Sequence, residues 1–434
     1  MSLSARFRRF AVAPVERPGR ESPIVRALRA ARGLRRFVGL LGEAANALLA
    51  RRRIDTDVDG LDPGTAAIFN DLVSQIDWPD RAQITQFEKP FPREAQLIEN
   101  MARLTVRAVV AAYHAERAEC AEAPARRDQH SKPHGCVRAR FIVRDDIPED
   151  YAVGVFKRGA TYDAILRFSN ASIHVQSDKL PDSRGLSIKL LNLPTPTLLS
   201  KRLHGRPREQ DFICASFPVF FCADVVDYIE FMQATLFPSA RLDQRLVRLA
   251  KIIKFSVTHP RQIVLLFRLA IQRTSDPLLT EYHSMAPFAL GKDKVVRYLV
   301  TPASNMTPPT RRTSSPNYLR EALAADLAPA GTATPPRVLV FSVQRRHAPR
   351  PVDVENATLR WTDPLDRTVP LARIEIPPQD FQTPQTEWES EHLSFHPWNS
   401  LDEHRPLGSL NRMRLGIYLA SCAARRRLNM QRGL

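Results

Sequence analysis

Apolar residues recur at helical spacing in the first part of the chain and switch to strict alternation after residue 135. Ile24, Leu28, Ala31, Leu34, Val38, Leu41, Ala45 and Leu48 form one stripe, with Arg26, Arg29, Arg32 and Arg36 largely on the other side. That pattern predicts a basic amphipathic helix over 24–50. A shorter helix is expected near Ala66–Ile76, and a stronger one over 93–122, where Leu97, Met101, Leu104, Ala108 and Ala111 recur. The loop 123–128 divides a basic, helical N-terminal extension (1–125) from the main domain (126–434). In that domain Val137, Ala139, Phe141 and Val143 alternate with Arg138 and Arg140, a half-buried strand. Over 162–169, Ala164, Leu166 and Phe168 take one face, and Ile165, Arg167 and Ser169 the other. Further strands are predicted at 184–191, at 211–222 with a break at Pro218, at 294–300 and at 337–343. Helices are predicted at 224–235, 240–255 and 263–272. Strands joined in succession by loops favour antiparallel pairing, so the class is α+β, an antiparallel sheet or barrel with helices around it.

Charge adds a boundary to this picture. The 434 residues carry a net charge of +17. Residues 1–53 alone hold thirteen Arg, no Lys and three Glu, a net +10. An anionic membrane surface suits helix 24–50, which makes it a candidate for peripheral membrane contact; the alternative is that it packs on the domain with a solvated Arg face. No aromatic-interleaved basic patch accompanies it, so no nucleic-acid partner is expected. Helices 240–255 and 263–272 carry Arg and Lys at intervals and form a second cationic surface. The five cysteines are scattered singly without a CxxC pair, which argues against structural zinc and a disulfide framework and fits a reducing compartment. The most apolar run, Ile263–Phe267, is closed by Arg261 and Arg268, and no signal segment is evident. The expected location is cytoplasmic, with contact to a membrane surface through the basic helix.

Candidate chemistry sits at both ends of the main domain. Near the C-terminus Arg414 and Tyr418 are four residues apart on a predicted helix, and Arg425 lies two turns further on roughly the same face. Cations beside a phenol lower its pKa, and a phenolate binds iron(III). The plainer alternative is a helix tyrosine packed on arginine stems. Before the first strand, Arg127, His130 and His134 share one loop. An imidazole at a strand entrance can project into a cavity and shuttle protons, and either histidine is eligible. His347 and His392 read as solvated, and the acidic pairs Asp145–Asp146 and Glu389/Glu391 as surface.

The order of these segments resembles the haem catalases: His130 to Gly135, Ile165 to Ser169, Pro181 to Lys189, Gln210 to Phe221, Glu281 to Gly291, and Phe395 to Asn399 followed by Arg414 and Tyr418. The resemblance runs over about 127–427 and is nearest to a divergent, catalase-related branch. It implies a catalase-like β-barrel domain holding haem b. In that scheme Tyr418 is the iron ligand, Arg414 keeps it ionised, and Arg127, Arg167 and Arg425 pair with the haem propionates. His130 becomes the distal base, oriented by Ser169, with His134 as its rival. Phe221 becomes a distal aromatic. Ser216 stands where the family is expected to place an asparagine that helps hold peroxide, a loss of a preorganised donor of the kind that costs about 10²–10³ in rate. The implied activity is peroxide processing, weak toward hydrogen peroxide. The alternatives are a fatty-acid hydroperoxide isomerase or dehydrase of the allene oxide synthase type, or a haem-binding protein without catalysis.

Overall fold

A computed structural model describes residues 84–430, apart from 122, 203–206, 236–241, 273, 304–314 and 330–334. The predicted helices 24–50 and 66–76 lie outside the described residues. Alternation in the central region does build an antiparallel sheet. Its strands are β1 (Pro133–Val143), β2 (Thr161–Asn170), β3 (Arg184–Leu190), β4 (Gln210–Ala215), β5 (Tyr282–His283), β6 (Phe288–Leu290), β7 (Lys294–Pro302), β8 (Arg337–Arg345) and β9 (Arg367–Ile376). They are ordered β5-β4-β3-β2-β1-β9-β8-β7-β6, and β5 also pairs with β7. That extra pairing closes β1, β2, β3, β4, β5, β7, β8 and β9 into an eight-stranded barrel, with β6 appended to β7.

The barrel interior is a packed core. Ala164, Leu166 and Phe168 of β2 face inward with Leu186, Ile188, Phe212 and Phe341. Phe141, Phe156, Phe212, Tyr298 and Phe341 meet with ring centroids 4.8–6.4 Å apart.

The helices are α1 (Glu94–Glu119), α2 (Leu198–Arg202), α3 (Val225–Thr235), α4 (Leu242–Thr258), α5 (Pro260–Ala270), α6 (Tyr318–Leu327), α7 (Pro351–Glu355), α8 (Pro384–His392) and α9 (Ser409–Met430). α1 belongs to the sequence-defined extension, yet it packs along α9 through Val106, Val109, Val110, Ala420 and Ala424. The first turn of α9 is locked by Arg412. Its guanidinium pairs with Glu94 at 2.8 Å, Glu355 at 3.0 Å and Glu88 at 2.5 Å, with Arg412 only 4% exposed. Three carboxylates from three segments thus converge on one cation, which pins the first turn of α9.

Two expectations are corrected. Residues 218–222 are not strand: the chain leaves the sheet after Ala215, and Pro218 has no N–H with which to continue the ladder. Strand β9 was not legible in the sequence pattern. A bulge breaks its period, so that Phe341 pairs with Ala372 while Ser342 pairs with Pro370.

Candidate functional site

Cross-strand register on the outer face of β2–β3–β4 sets one wall of a cavity. Arg167, Ser187 and Ile213 form one row across the three strands, and Ser169, Gly185 and Ala215 form the next. Because side chains alternate, both rows point away from the barrel core. Opposite stands α9. Leu410, Met413, Arg414, Ile417, Tyr418, Ser421, Cys422 and Arg425 recur at three- and four-residue steps and line the same space. Phe395 from the preceding loop, and Asp128, Gln129 and His130 from the loop before β1, complete the lining. The cavity measures about 130 Å³.

His130 is held from four sides. Its N–H donates to Ala171 O at 3.1 Å, and Arg167 Nη2 donates to its carbonyl at 2.9 Å. Its Nδ1 shares a 3.0 Å hydrogen bond with Ser169 Oγ. The ring lies against Gly185, where a Cβ would come within 2.5 Å of Nδ1 and Cε1. All of this holds the backbone at φ 59°, in the left-handed region that costs energy for a non-glycine residue. Met285, another cavity residue, also has φ 59°. Backbone strain of this kind clusters at functional sites. Burial first, then the charges of Arg167, Arg127 and Arg414, lower the His130 pKa to about 3, so the imidazole is neutral at physiological pH.

His134 does not line this cavity. It is 1% exposed and its Nε2 is bonded to Asn170 Oδ1 at 2.9 Å. Asn170 Nδ2 in turn donates to Asp178, and Lys132 pairs with Asp178 at 2.8 Å. That buried network ties the start of β1 to the end of β2, a structural task.

On the opposite wall, Arg414 donates to Asn411 Oδ1 at 3.1 Å and is 8% exposed. Its charge lowers the Tyr418 pKa, as expected, but burial outweighs it and the phenol's pKa is raised overall. The protein alone therefore keeps Tyr418 protonated. His396 packs on it with ring centroids 5.5 Å apart, and its Nε2 is 3.2 Å from Leu415 O. The His396 N–H donates to Asp211 Oδ2 at 2.9 Å, and Asp211 pairs with Lys189 at 2.8 Å. Through this chain of contacts β3 and β4 fix the loop that backs Tyr418.

Arg127, Arg167 and Arg425 gather at one end of the cavity. Arg127 and Arg425 donate to the carbonyls of Ser390, Glu391 and Leu393, capping α8. Glu391 sits among the three and is not the surface residue expected: Arg127 Nη1 lies 3.6 Å away, and nearby arginines, Arg127 foremost, hold its carboxyl low against the opposing effect of burial. Three guanidiniums face one carboxylate. Arg127 Nη1 and Arg167 Nε have no hydrogen-bond partner. Glu391 Oε1 likewise makes no hydrogen bond, so donors and acceptor at this end are close but not joined.

Two predicted residues are not brought to this cavity. Phe221 packs behind the wall against Phe231, 4.7 Å between ring centroids, and it is Phe220 that lines the space. Ser216 turns the other way. Its hydroxyl accepts from Arg184 N at 3.0 Å, donates to Gln272 Oε1 at 3.0 Å, and lines a neighbouring cavity of about 700 Å³. The residues of β4 that face the site from its outer side are Ile213 and Ala215, the latter one position before Ser216. Ser216 is the position that the family resemblance singles out, and neighbouring residues at the end of a strand face opposite ways. Sequence reasoning also missed two polar pairs in the lining. Gln129 Nε2 donates to Tyr228 OH at 2.5 Å, and Ser421 Oγ donates to Asp128 Oδ1 at 2.6 Å. Their positions beside Arg127 and His130 were the only signal available.

Among the described residues no cluster of three or more His, Cys, Asp or Glu is suited to a metal ion. All five cysteines are free.

No family model matches the chain, and no curated protein sequence matches it. Its fold does match solved structures. A bacterial catalase superposes with a TM-score of 0.51 at 15% identity, over 78% of this chain and 61% of that one. A fungal catalase superposes with a TM-score of 0.50 at 14% identity, over 79% of this chain and 64% of that one. The chain thus spans less than two thirds of the length of either. The fold is catalase-like.

Proposed function

We propose that the cavity between the outer face of β2–β4 and α9 binds haem b, with Tyr418 as iron ligand, and that the protein processes peroxides. The observation that carries this reading is the opposition of two prepared groups. A neutral, rigidly held His130 stands on the barrel side, and Tyr418 with Arg414 on the helix side. The donor set fits the group. Arg127, Arg167 and Arg425 outnumber the carboxylates beside them, and Arg127 Nη1 and Arg167 Nε, which make no hydrogen bond, suit propionates. The volume of about 130 Å³ is below the roughly 300–1,000 Å³ of ordinary ligand sites, so side chains must move on binding. Met285, Met413 and Phe220 line the space, and methionine is the most adaptable apolar side chain.

Haem, when bound, supplies the redox chemistry that cleaves an O–O bond. The protein's part is proton handling. With Nδ1–H donated to Ser169, Nε2 of His130 is left as the acceptor for the proton of an incoming hydroperoxide, which it returns to the departing oxygen. Beside it the wall is the methyl of Ala215 and the ring of Phe220. With Ser216 turned away, neither its hydroxyl nor an amide is aimed at a small peroxide there. That favours an organic hydroperoxide over hydrogen peroxide, and it keeps a hydroperoxide isomerase or dehydrase as the second reading.

The test is the optical spectrum of the haem-loaded protein beside Tyr418→Phe. A high-spin ferric haem in the wild type that changes in the variant is the expected result, and identical spectra would rule out Tyr418 as ligand. Oxygen release from hydrogen peroxide, measured against consumption of a fatty-acid hydroperoxide without oxygen, separates the two activities. Bound haem inert to both would leave a binding protein.

A further inference from the structure

Helices α4 and α5 are apolar on two sides. Their inner sides, through Phe255, Ile263 and Leu266, pack with Ile229 and Met232 of α3. Their outer sides do not pack. Leu249, Ile252 and Ile253 share a face of α4 and are 52%, 37% and 42% exposed. Val264 and Phe267 share a face of α5 that runs on to Ile271, and they are 50%, 64% and 54% exposed. These six are nearly half of the thirteen large apolar side chains exposed among the described residues, gathered within two consecutive helices. Such concentration marks an interaction surface, because scattered exposed apolar residues are ordinary and a cluster is not.

Charge selects the partner. Residues 242–270 contain six Lys or Arg and a single acid, Asp243, a net +5. A second copy docking face to face would set +5 against +5. The N-terminal residues 1–53, at a net +10, would be repelled likewise. The occupant must be anionic, and six exposed apolar side chains among the cations require that it also be apolar within a few ångströms of its charges. A bilayer with anionic headgroups meets both conditions. No helix among the described residues is long and apolar enough to cross a membrane, which leaves contact in the interface plane.

We propose that α4 and α5 form a docking surface for anionic lipid bilayers, with Leu249, Ile252, Ile253, Val264, Phe267 and Ile271 entering the headgroup boundary and the flanking Lys and Arg pairing with lipid phosphates and carboxylates. The face ends beside an opening. Ile271 and Leu180 both line a cavity of about 480 Å³ between α5 and the loop before β3. The docking surface is independent of whether the main cavity takes haem.

The experiment is co-sedimentation of the full-length protein with phosphatidylcholine vesicles, with and without about 30% phosphatidylserine, beside the double variant Phe267→Ser, Ile271→Ser. Both side chains are mostly exposed, so the variant keeps its fold, checked by an unchanged melting curve. Wild type should bind the anionic vesicles about tenfold or more tightly than the neutral ones, and raised salt should remove the difference. The variant should lose about a hundredfold in binding to the anionic vesicles, since each of the two large apolar side chains withdrawn from water is worth about tenfold. Equal binding by variant and wild type would assign the membrane contact to the N-terminal residues and overturn the proposal. So would absence of binding by either, including the case where wild type self-associates and the variant does not, which would make the face an interface between copies.

Discussion

At the residue scale, the most constrained group in the site is His130, and the constraint comes from a residue without a side chain. A methyl at Gly185 would overlap the imidazole at 2.5 Å and crowd Ser169 Oγ at 2.9 Å. Gly185 has no positive φ among the strained positions, so Gly185→Ala tests the ring and not the backbone. We expect the variant to fold and to bind haem, while its reaction with hydroperoxide slows about 10²-fold, because a displacement near 1 Å of a reacting group costs that much. Single-turnover peroxide kinetics on the haem-loaded variant measure it, and an unchanged rate would remove His130 from the proton path. His130, Ser169 and Arg167 were legible because alternation along β2 put Arg167 and Ser169 on one face. Ala215 and Phe220 were not, since facing is decided by register and by the exit from β4, and the resemblance pointed to their neighbours Ser216 and Phe221 instead.

At the element scale, α9 carries both the anchor and the site. Arg412 lies outside the cavity-lining stripe, and its guanidinium serves Glu88, Glu94 and Glu355. Arg412→Met would leave three neighbouring carboxylates without a cation. We expect a loss of about 3–5 kcal/mol in denaturant unfolding, the range for breaking a buried ion pair from one side. A loss below about 1 kcal/mol would mean that water replaces the guanidinium and that α9 is held by packing alone. Arg414, Tyr418 and Arg425 were legible as one helical face from their spacing. The Arg412 network was not, since its partners come from residues 88, 94 and 355, and nothing local relates those positions. Strand β9 escaped for the same kind of reason: Pro370 and its bulge interrupt the alternation that revealed β2.

At the scale of the whole molecule, the cavity lies between the barrel and the helix layer, so its occupant touches both. Haem should therefore stabilise the protein as one unit. At free haem about a hundredfold above its Kd the gain is about 2.7 kcal/mol. Scanning calorimetry should show a single transition moving upward on loading, and the Tyr418→Phe protein should match wild type without haem and gain less with it. Two transitions, one of them unmoved, would mean that the layers unfold separately. The class of fold was legible from alternating strands, but closure of the barrel was not. It depends on β5, two residues long, pairing with β4 on one side and β7 on the other.

That closure has a consequence for chain length. Ala215 and His283 face each other across a ladder, about 5 Å apart, although the chain between them makes the whole excursion through α3, α4 and α5. The ends of the excursion are fixed by the barrel, and its contour is not. Doubling the length of a flexible loop raises its closure entropy by only about 0.6 kcal/mol, less than one buried methylene contributes. The barrel therefore sets where this stretch begins and ends, but not its length. The part of the molecule that presents its apolar face outward is the part whose size the barrel regulates least.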